Sequence, residues 1–196
     1  MTDKTVKSKN ICCIFLWSIL FVILTAADRI TKMMAYNNLK DNDSVVVIKG
    51  FLSLTYVENK GAAWGIMSGR INLLAIATII IIPFLIFLFI RAWKSKKYFD
   101  LKKSRYLTIL QLDMILLLAG AVGNFIDRIL MGFVVDFFQF TFIDFPVFNV
   151  ADCYITAGAF IFVIIYIFVF KSDEDIDIIL KGKKASSKKE KSYDEA

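Results

Sequence analysis

Two aspartates and the absence of histidine define the chemistry open to this chain. Asp136 and Asp152 lie at the mouth of a charge-free run over 153–170. A carboxylate beside hydrocarbon is costly to keep ionised, so it persists mainly where it has a partner or a task. The lack of any histidine excludes Ser-His-Asp and Cys-His catalysis and the most common zinc ligand. Paired carboxylates could instead share a proton, so that one activates a water while the other polarises a carbonyl.

The composition predicts that these aspartates sit on a membrane protein. Of the 196 residues 58% are apolar, and 19 are phenylalanine. A spanning helix needs roughly 20 apolar residues. Four segments approach that length, at 11–27, 71–90, 106–126 and 151–170. We therefore expect an all-α membrane protein whose four-helix domain covers 11–170, after an N-terminal segment at 1–10.

The distribution of basic residues predicts the orientation. Three lysines precede the first span, seven Lys and Arg lie between spans two and three, and seven more follow Phe170. The last loop, 127–149, has only Arg128 against three aspartates. By the positive-inside rule both termini and the middle loop are cytoplasmic, so Asp136 and Asp152 face outward. The net charge of +6 thus indicates topology, and no folded basic face suggests a nucleic-acid partner.

The first span has an alternative interpretation as a cleavable signal peptide. Lysines precede it, and 25–27 resembles a small-residue cleavage site. Its 17 apolar residues are long for such a peptide. Removal would also leave three spans and put the basic tail and the basic middle loop on opposite sides. We therefore expect an anchor that is retained.

The segments outside the spans predict a small sheet and a tail. Residues 45–57 form two β-rich runs around a short break, which predicts a β-rich extracytoplasmic insert, or cradle. The outer loop at 132–142 could add a strand. The tail at 171–196 is charged and has no apolar pattern after Leu180, so we expect it to be cytoplasmic and disordered.

Each polar cluster near the outer boundary has an ordinary structural explanation. Asn149 could cap a helix with Asp152 in its first turn. Asp28 and Lys32 could form an i,i+4 ion pair. An Asp-Arg pair ending span three is usually solvated, and Asn59 could be part of a turn. All of these clusters nevertheless fall at one membrane boundary, which is what a reaction site requires. The full set is Asp28, Lys32, Asn59, Asn124, Asp127, Arg128, Asp136, Asn149 and Asp152.

One polar residue does not join this group. Asp113, with Gln111, lies in the other half of span three. We expect it to pair with another span or to extend toward Arg105.

Five motifs together resemble the lipoprotein signal peptidase family, also called signal peptidase II, a family of aspartyl membrane peptidases. They occur in the family's order relative to four spans, and they cover residue 28 to about residue 158. The motifs lie at 28–32, 59–65, 123–128, 134–137 and 148–155.

The resemblance implies an aspartyl endopeptidase that removes the signal peptide of prolipoproteins just before a cysteine bearing diacylglyceryl. Asp136 and Asp152 would be the catalytic pair, and no metal or organic cofactor is implied. The partners would be lipid-modified prolipoproteins and membrane lipids, and the enzyme a monomer in the bacterial cell membrane with its site at the extracytoplasmic face. The residues matching positions that line or support the site are Asn59, Asn124, Arg128, Asn149, Asp28 and Lys32.

Three other functions are open to such a sequence. A proton-coupled transporter would place acidic residues deep in several spans and would break a helix pair with Gly or Pro, yet only Asp113 and Pro83 fit that pattern. A structural membrane protein would leave the clustering at one boundary unexplained. An intramembrane aspartyl protease of the Gly-x-Gly-Asp type is disfavoured because the motif is absent.

Overall fold

The computed structural model describes residues 3–61, 71–170 and 172–181. Four of its helices are long and apolar enough to cross a membrane. They are α1 (Asp3–Leu39), α2 (Ile71–Ser95), α3 (Leu101–Met131) and α4 (Val150–Phe168). A short fifth helix follows, α5 (Asp173–Lys181). One antiparallel sheet of order β1-β2-β3 is built from β1 (Val45–Ile48), β2 (Leu52–Asn59) and β3 (Val134–Phe140). The expected fold of four spanning helices with a small sheet is confirmed.

Helix α3 is the centre of the bundle, and α1, α2 and α4 all pack against it. Its inner residues Leu107, Met114 and Ala119 are completely buried. Gly120 faces α4 so closely that a Cβ there would lie 2.6 Å from the backbone oxygen of Ala151. Small residues allow helices in a membrane to approach at backbone distance. This contact brings the start of α4, and with it Asp152, against the last turns of α3.

Helix α1 is longer than its sequence predicts. The expected span at 11–27 ends where charged residues begin, but the helix continues to Leu39. Its extension has a buried face, since Ala35 and Leu39 pack with Val135 and Phe137 in a second small core. The chain therefore remains helical because this face is covered by the sheet, and hydropathy alone underestimates the helix.

The sheet covers one end of the bundle. Gly132, at φ 73°, caps α3 in the left-handed conformation and turns the chain into β3. The outer loop at 132–142 thus does supply a strand. In the register between β2 and β3, Val57 is opposite Asp136 and Asn59 is opposite Val134. The sheet consequently brings Asn59, at the end of β2, beside the aspartate of β3.

Helix α5 corrects the expectation of a disordered tail for residues 173–181. Ile178 and Ile179 are buried. The side chains of Arg91 and Ser95, both on α2, donate hydrogen bonds to the last backbone carbonyls of α5, from Arg91 Nε to Ile179 at 2.8 Å and from Ser95 Oγ to Ile178 at 3.2 Å. Lys103 pairs with Asp175 at 2.8 Å. The rest of the tail, 182–196, lies outside the described residues.

Candidate active site

The two candidate catalytic aspartates line one cavity. Asp136 is in the middle of β3 and Asp152 is in the first turn of α4. The cavity has a volume of about 120 Å³, which leaves room for water and for a narrow piece of substrate. Its polar lining otherwise comes from other residues that the sequence indicated, namely Asn59, Asn124 and Arg128.

Asn149 connects the two aspartates. It caps α4, because its side-chain oxygen accepts from the backbone N–H of Asp152 at 3.0 Å while its own N–H donates to Asp152 Oδ2 at 3.1 Å. This is the capping box that the sequence suggested as a structural alternative. Its amide nitrogen also donates to Asp136 Oδ1 at 2.6 Å. The cap of α4 and the candidate site therefore share one residue. Asn149 is completely buried, and its hydrogen bonds fix both carboxylates.

Two further amides hold the remaining carboxylate oxygens. Asn59 Nδ2 donates to Asp136 Oδ2 at 2.8 Å, while its own oxygen accepts from the N–H of Gly61. Asn124 Nδ2 donates to Asp152 Oδ1 at 2.8 Å. Each oxygen of both aspartates thus accepts one hydrogen bond, and this fixes the direction in which each carboxylate faces the cavity. The rest of the 59–65 motif lies outside the described residues.

A buried network of charged residues contacts these amides through Asn124. Lys32, 1% exposed, contacts Asp28 Oδ2 at 2.8 Å and Asp127 Oδ2 at 3.1 Å, and donates to Asn124 Oδ1 at 2.8 Å. Asp28 in turn accepts from the backbone N–H of Ala151 at 2.9 Å, at the start of α4. The expected Asp28–Lys32 ion pair is present, and the hydrogen bond from Lys32 orients the side chain of Asn124. A Cβ at position 123 would overlap Asp28 Oδ2, so only glycine fits there.

Asp127 and Arg29 have a larger role than the sequence analysis assigned to them. An Asp-Arg pair at a helix end is usually solvated, but Asp127 is completely buried. It pairs with Arg29 as well as Lys32, and it accepts from the backbone N–H of Val135 at 3.3 Å. It therefore joins α1 and α3 to the strand residue next to Asp136. The available signal was its position three residues after Asn124, which places both on one helical face.

The electrostatics of the site separate the two aspartates. Burial, and secondarily the nearby charge of Asp152, raise the pKa of Asp136 to about 7. Hydrogen bonds from Asn59 and Asn149, and the charge of Lys32, oppose this rise. A carboxyl group with such a pKa is divided between its acid and carboxylate forms at neutral pH. The pair can therefore hold a single proton, which is the state that acid-base catalysis by two carboxylates requires.

The remaining wall of the cavity is cationic and aromatic. Arg128 is half-buried and its Nη1 donates to the backbone oxygen of Asn124 at 3.4 Å. Phe145 and Phe148 line the cavity and belong to a larger aromatic group with Phe138 and Phe140. Among the described residues no group of three or more Cys, Asp or Glu has the arrangement of a metal site.

Asp113 is far from this site, and the expectation that it has a partner is wrong within the described part of the chain. It is completely buried in α3, and neither of its oxygens has a hydrogen-bond partner among the described residues. A Cβ at Gly158 of α4 would lie 3.1 Å from its Oδ1. Gln111 is likewise buried, and its amide atoms have no partner among those same residues.

Comparison with known proteins gives a consistent family. The family model described as signal peptidase (SPase) II matches residues 20–168. Lipoprotein signal peptidases from Staphylococcus aureus strains JH9 and Newman are 42% identical over 139 residues, which are 70% of this chain and 78% of theirs.

Solved structures agree with this result. A bacterial membrane enzyme determined by the in meso method at 2.3 Å resolution matches with a TM-score of 0.67 and 37% identity, over 82% of this chain and 93% of that one. Another, at 1.9 Å, matches with a TM-score of 0.64 and 38% identity, over 80% and 95%. The motifs, the fold and these relatives together place the chain in the signal peptidase II family, the lipoprotein signal peptidases.

Proposed function

We propose that this peptidase is an aspartyl endopeptidase that cleaves the signal peptide from diacylglyceryl-modified prolipoproteins just before the lipidated cysteine. The observation that supports it best is the pair Asp136 and Asp152, which line one cavity and are joined by Asn149. The elevated pKa of Asp136, about 7, gives the pair the shared proton that the reaction needs.

In the proposed mechanism a water lies between the two carboxyl groups. Asp152 in its carboxylate form removes a proton from the water, and the water oxygen bonds to the scissile carbonyl carbon. Protonated Asp136 donates its proton to the carbonyl oxygen, where negative charge develops. The tetrahedral intermediate then collapses: Asp136 takes back the proton from one hydroxyl, the C–N bond breaks, and the proton held by Asp152 passes to the leaving amine of the cysteine. Arg128 stabilises negative charge at the edge of the same cavity.

The lipid on the substrate provides the positioning. A diacylglyceryl group stays in the bilayer, since each buried CH₂ contributes about 0.8 kcal/mol. It would hold the cysteine at the depth of the aromatic wall of Phe145 and Phe148. Fixing the scissile bond beside the carboxylates removes much of the entropy cost of orientation.

The same proposal includes the topology. Both termini and the connection between α2 and α3 are cytoplasmic, and the catalytic pair is at the extracytoplasmic face of the bacterial cell membrane. The basic residues support this, since they concentrate at the end of the bundle opposite the aspartates. A monomer would suffice as the active unit, because Asp136, Asp152 and the amides that hold them all belong to one chain.

A gel-shift assay with purified protein and a lipid-modified prolipoprotein tests the mechanism. Asp136→Asn and Asp152→Asn should each abolish cleavage, while Asp144→Asn, at an exposed loop aspartate, should retain it. EDTA should have no effect. Substantial turnover by either active-site variant, or loss of activity in EDTA that zinc restores, would contradict the two-aspartate mechanism.

A second assay tests the role of the lipid. Prolipoproteins with and without diacylglyceryl on the cysteine are compared at equal concentration in the same micelles. The unmodified form should be cleaved far more slowly, because it lacks the anchor that sets its depth. Equal rates would overturn the positioning argument even if the aspartates proved essential.

A further inference from the structure

An apolar crevice lies at the end of the bundle opposite the aspartates. It has a volume of about 220 Å³ and lies between α2, α4 and α5, with α3 as its floor. Its side chains include Leu88 of α2, Phe162 and Tyr166 of α4, and Leu180 of α5. Apolar cavities of about 150 Å³ in proteins accommodate small hydrocarbons and exclude water. Because its lining is apolar and comes from three of the candidate spanning helices together with α5, its occupant should be hydrocarbon.

The crevice follows the gap between α2 and α4 and is closed on its third side by α5. A flexible acyl chain has no fixed shape and can adapt to such a gap.

A cation lies at the mouth of this crevice. Arg91 is one helical turn beyond Leu88 on α2, and its Nε donates to the backbone oxygen of Ile179, which lines the crevice. Its terminal nitrogens have no acceptor within the described part of the chain, and Nη2 is enclosed without a partner. Two acidic residues of α5 have cations of their own, since Asp175 pairs with Lys103 and Asp177 with Lys181.

A guanidinium without a counter-charge at the edge of hydrocarbon is costly. The carbonyl end of α5 compensates only part of the charge. A phosphate group supplies both the charge and the paired acceptors that a guanidinium matches best. Further cations at this end, including the exposed Lys94, disfavour a headgroup that has its own ammonium.

We propose that this crevice, lined by Leu88, Phe162, Tyr166 and Leu180 with Arg91 at its mouth, binds an anionic phospholipid of the adjacent leaflet. One acyl chain fills the crevice and the phosphate accepts from Nη1 of Arg91, the terminal nitrogen that is not enclosed. The bound lipid links α2, α4 and α5 at the end remote from the reaction. This site is independent of the peptidase mechanism.

The test measures thermal unfolding of delipidated protein in mixed micelles. Phosphatidylglycerol is compared with phosphatidylcholine of the same acyl chains at the same mole fraction. At saturation the anionic lipid should raise the Tm by about 5 °C or more beyond the zwitterionic lipid. Equal shifts by the two lipids would overturn the proposal.

Three variants separate the parts of the site. Arg91→Gln removes the charge but can still donate to Ile179, and it should lose the preference for the anionic lipid. Lys94→Gln removes an equal charge at an exposed position and should keep the preference. Leu180→Trp fills the crevice and should weaken the shift while Arg91 remains.

Each of the other outcomes contradicts the site. If Arg91→Gln and Lys94→Gln behave alike, the effect is due to general surface charge. If soluble glycerol phosphate alone gives the full shift, the headgroup binds without the crevice. Cleavage of a lipid-modified prolipoprotein in detergent should be unchanged in Arg91→Gln, which provides the control for correct folding.

Discussion

The ionisation of Asp136 should reduce the stability of the fold, and replacing it should reveal how much. Its pKa is raised from 3.8 to about 7, so the folded state binds the proton more tightly than the unfolded state. For a carboxyl group shifted in this direction, the stabilisation is complete below about pH 4 and is lost as the pH rises to about 7. The ionised site is therefore the less stable one at the pH where it works.

The size of this effect follows from the shift in the pKa of Asp136. At about 1.4 kcal/mol per pKa unit, the raised pKa lowers the free energy of unfolding by about 4 kcal/mol at pH 8 and by about 2 kcal/mol at pH 5. Asp136→Asn removes this cost at every pH. The new amide cannot accept at both positions as the carboxylate does, and the mismatch with Asn59 should cost about 1–3 kcal/mol. That penalty is independent of pH. The stability of Asp136→Asn relative to wild type should therefore be higher at pH 8 than at pH 5 by about 2–3 kcal/mol.

The assay is thermal unfolding of wild type, Asp136→Asn and Asp144→Asn in one detergent at pH 5 and pH 8. For a chain of this length 1 kcal/mol corresponds to about 2–4 °C. The Tm of Asp136→Asn minus the Tm of wild type should therefore be roughly 5–10 °C larger at pH 8 than at pH 5. The exposed Asp144→Asn should show no such difference. An equal Tm change at both pH values for Asp136→Asn would refute the assignment of the raised pKa to this residue.

Further predictions concern parts of the molecule outside the cavity. Lys32→Met leaves Asp28 and Asp127 buried without their shared cation and should cost about 3–5 kcal/mol, whereas the partly exposed Arg29→Met should cost less; equal losses in thermal unfolding would contradict the central role of Lys32. Asp113→Val should be neutral or stabilising, since it removes a buried carboxyl that has no partner among the residues the structure describes, and a clear fall in Tm would show that Asp113 has a partner in the folded state. Truncation after residue 181 should leave cleavage and Tm unchanged, while truncation after residue 170 removes α5 and should lower the Tm; an equal effect of both would contradict the packing of α5.

The sequence predicted which polar residues meet at one cavity because they are concentrated in short motifs at the ends of apolar spans. Asp136, Asp152 and the amides around them are polar residues for which a membrane boundary offers few other uses. Their convergence could be expected from topology alone. The way in which Asn149 serves both as cap and as link could not, because it depends on the register of β3 against α4.

The errors have a common physical cause, which is that hydropathy reports lipid contact and not helix formation. The extension of α1 beyond residue 27 is charged on one side and apolar at Ala35 and Leu39, and it is stabilised by the sheet. Helix α5 was missed because four acidic residues obscure the apolar positions of Ile176, Ile178 and Ile179. Asp127 was misjudged because its burial depends on cations contributed by a distant helix.

The length of α1 has a mechanical consequence for how the enzyme responds to its membrane. With 37 residues the helix is about 55 Å long, against a hydrocarbon core of about 30 Å. Its extension is fixed to the sheet through Ala35 and Leu39, and to α3 through Lys32. Hydrophobic mismatch in a thinner or thicker bilayer should therefore tilt or displace Asp136, Asp152 and their supporting residues as one rigid body. Acyl-chain length should then change how easily the substrate reaches the site, and hence KM, more than kcat.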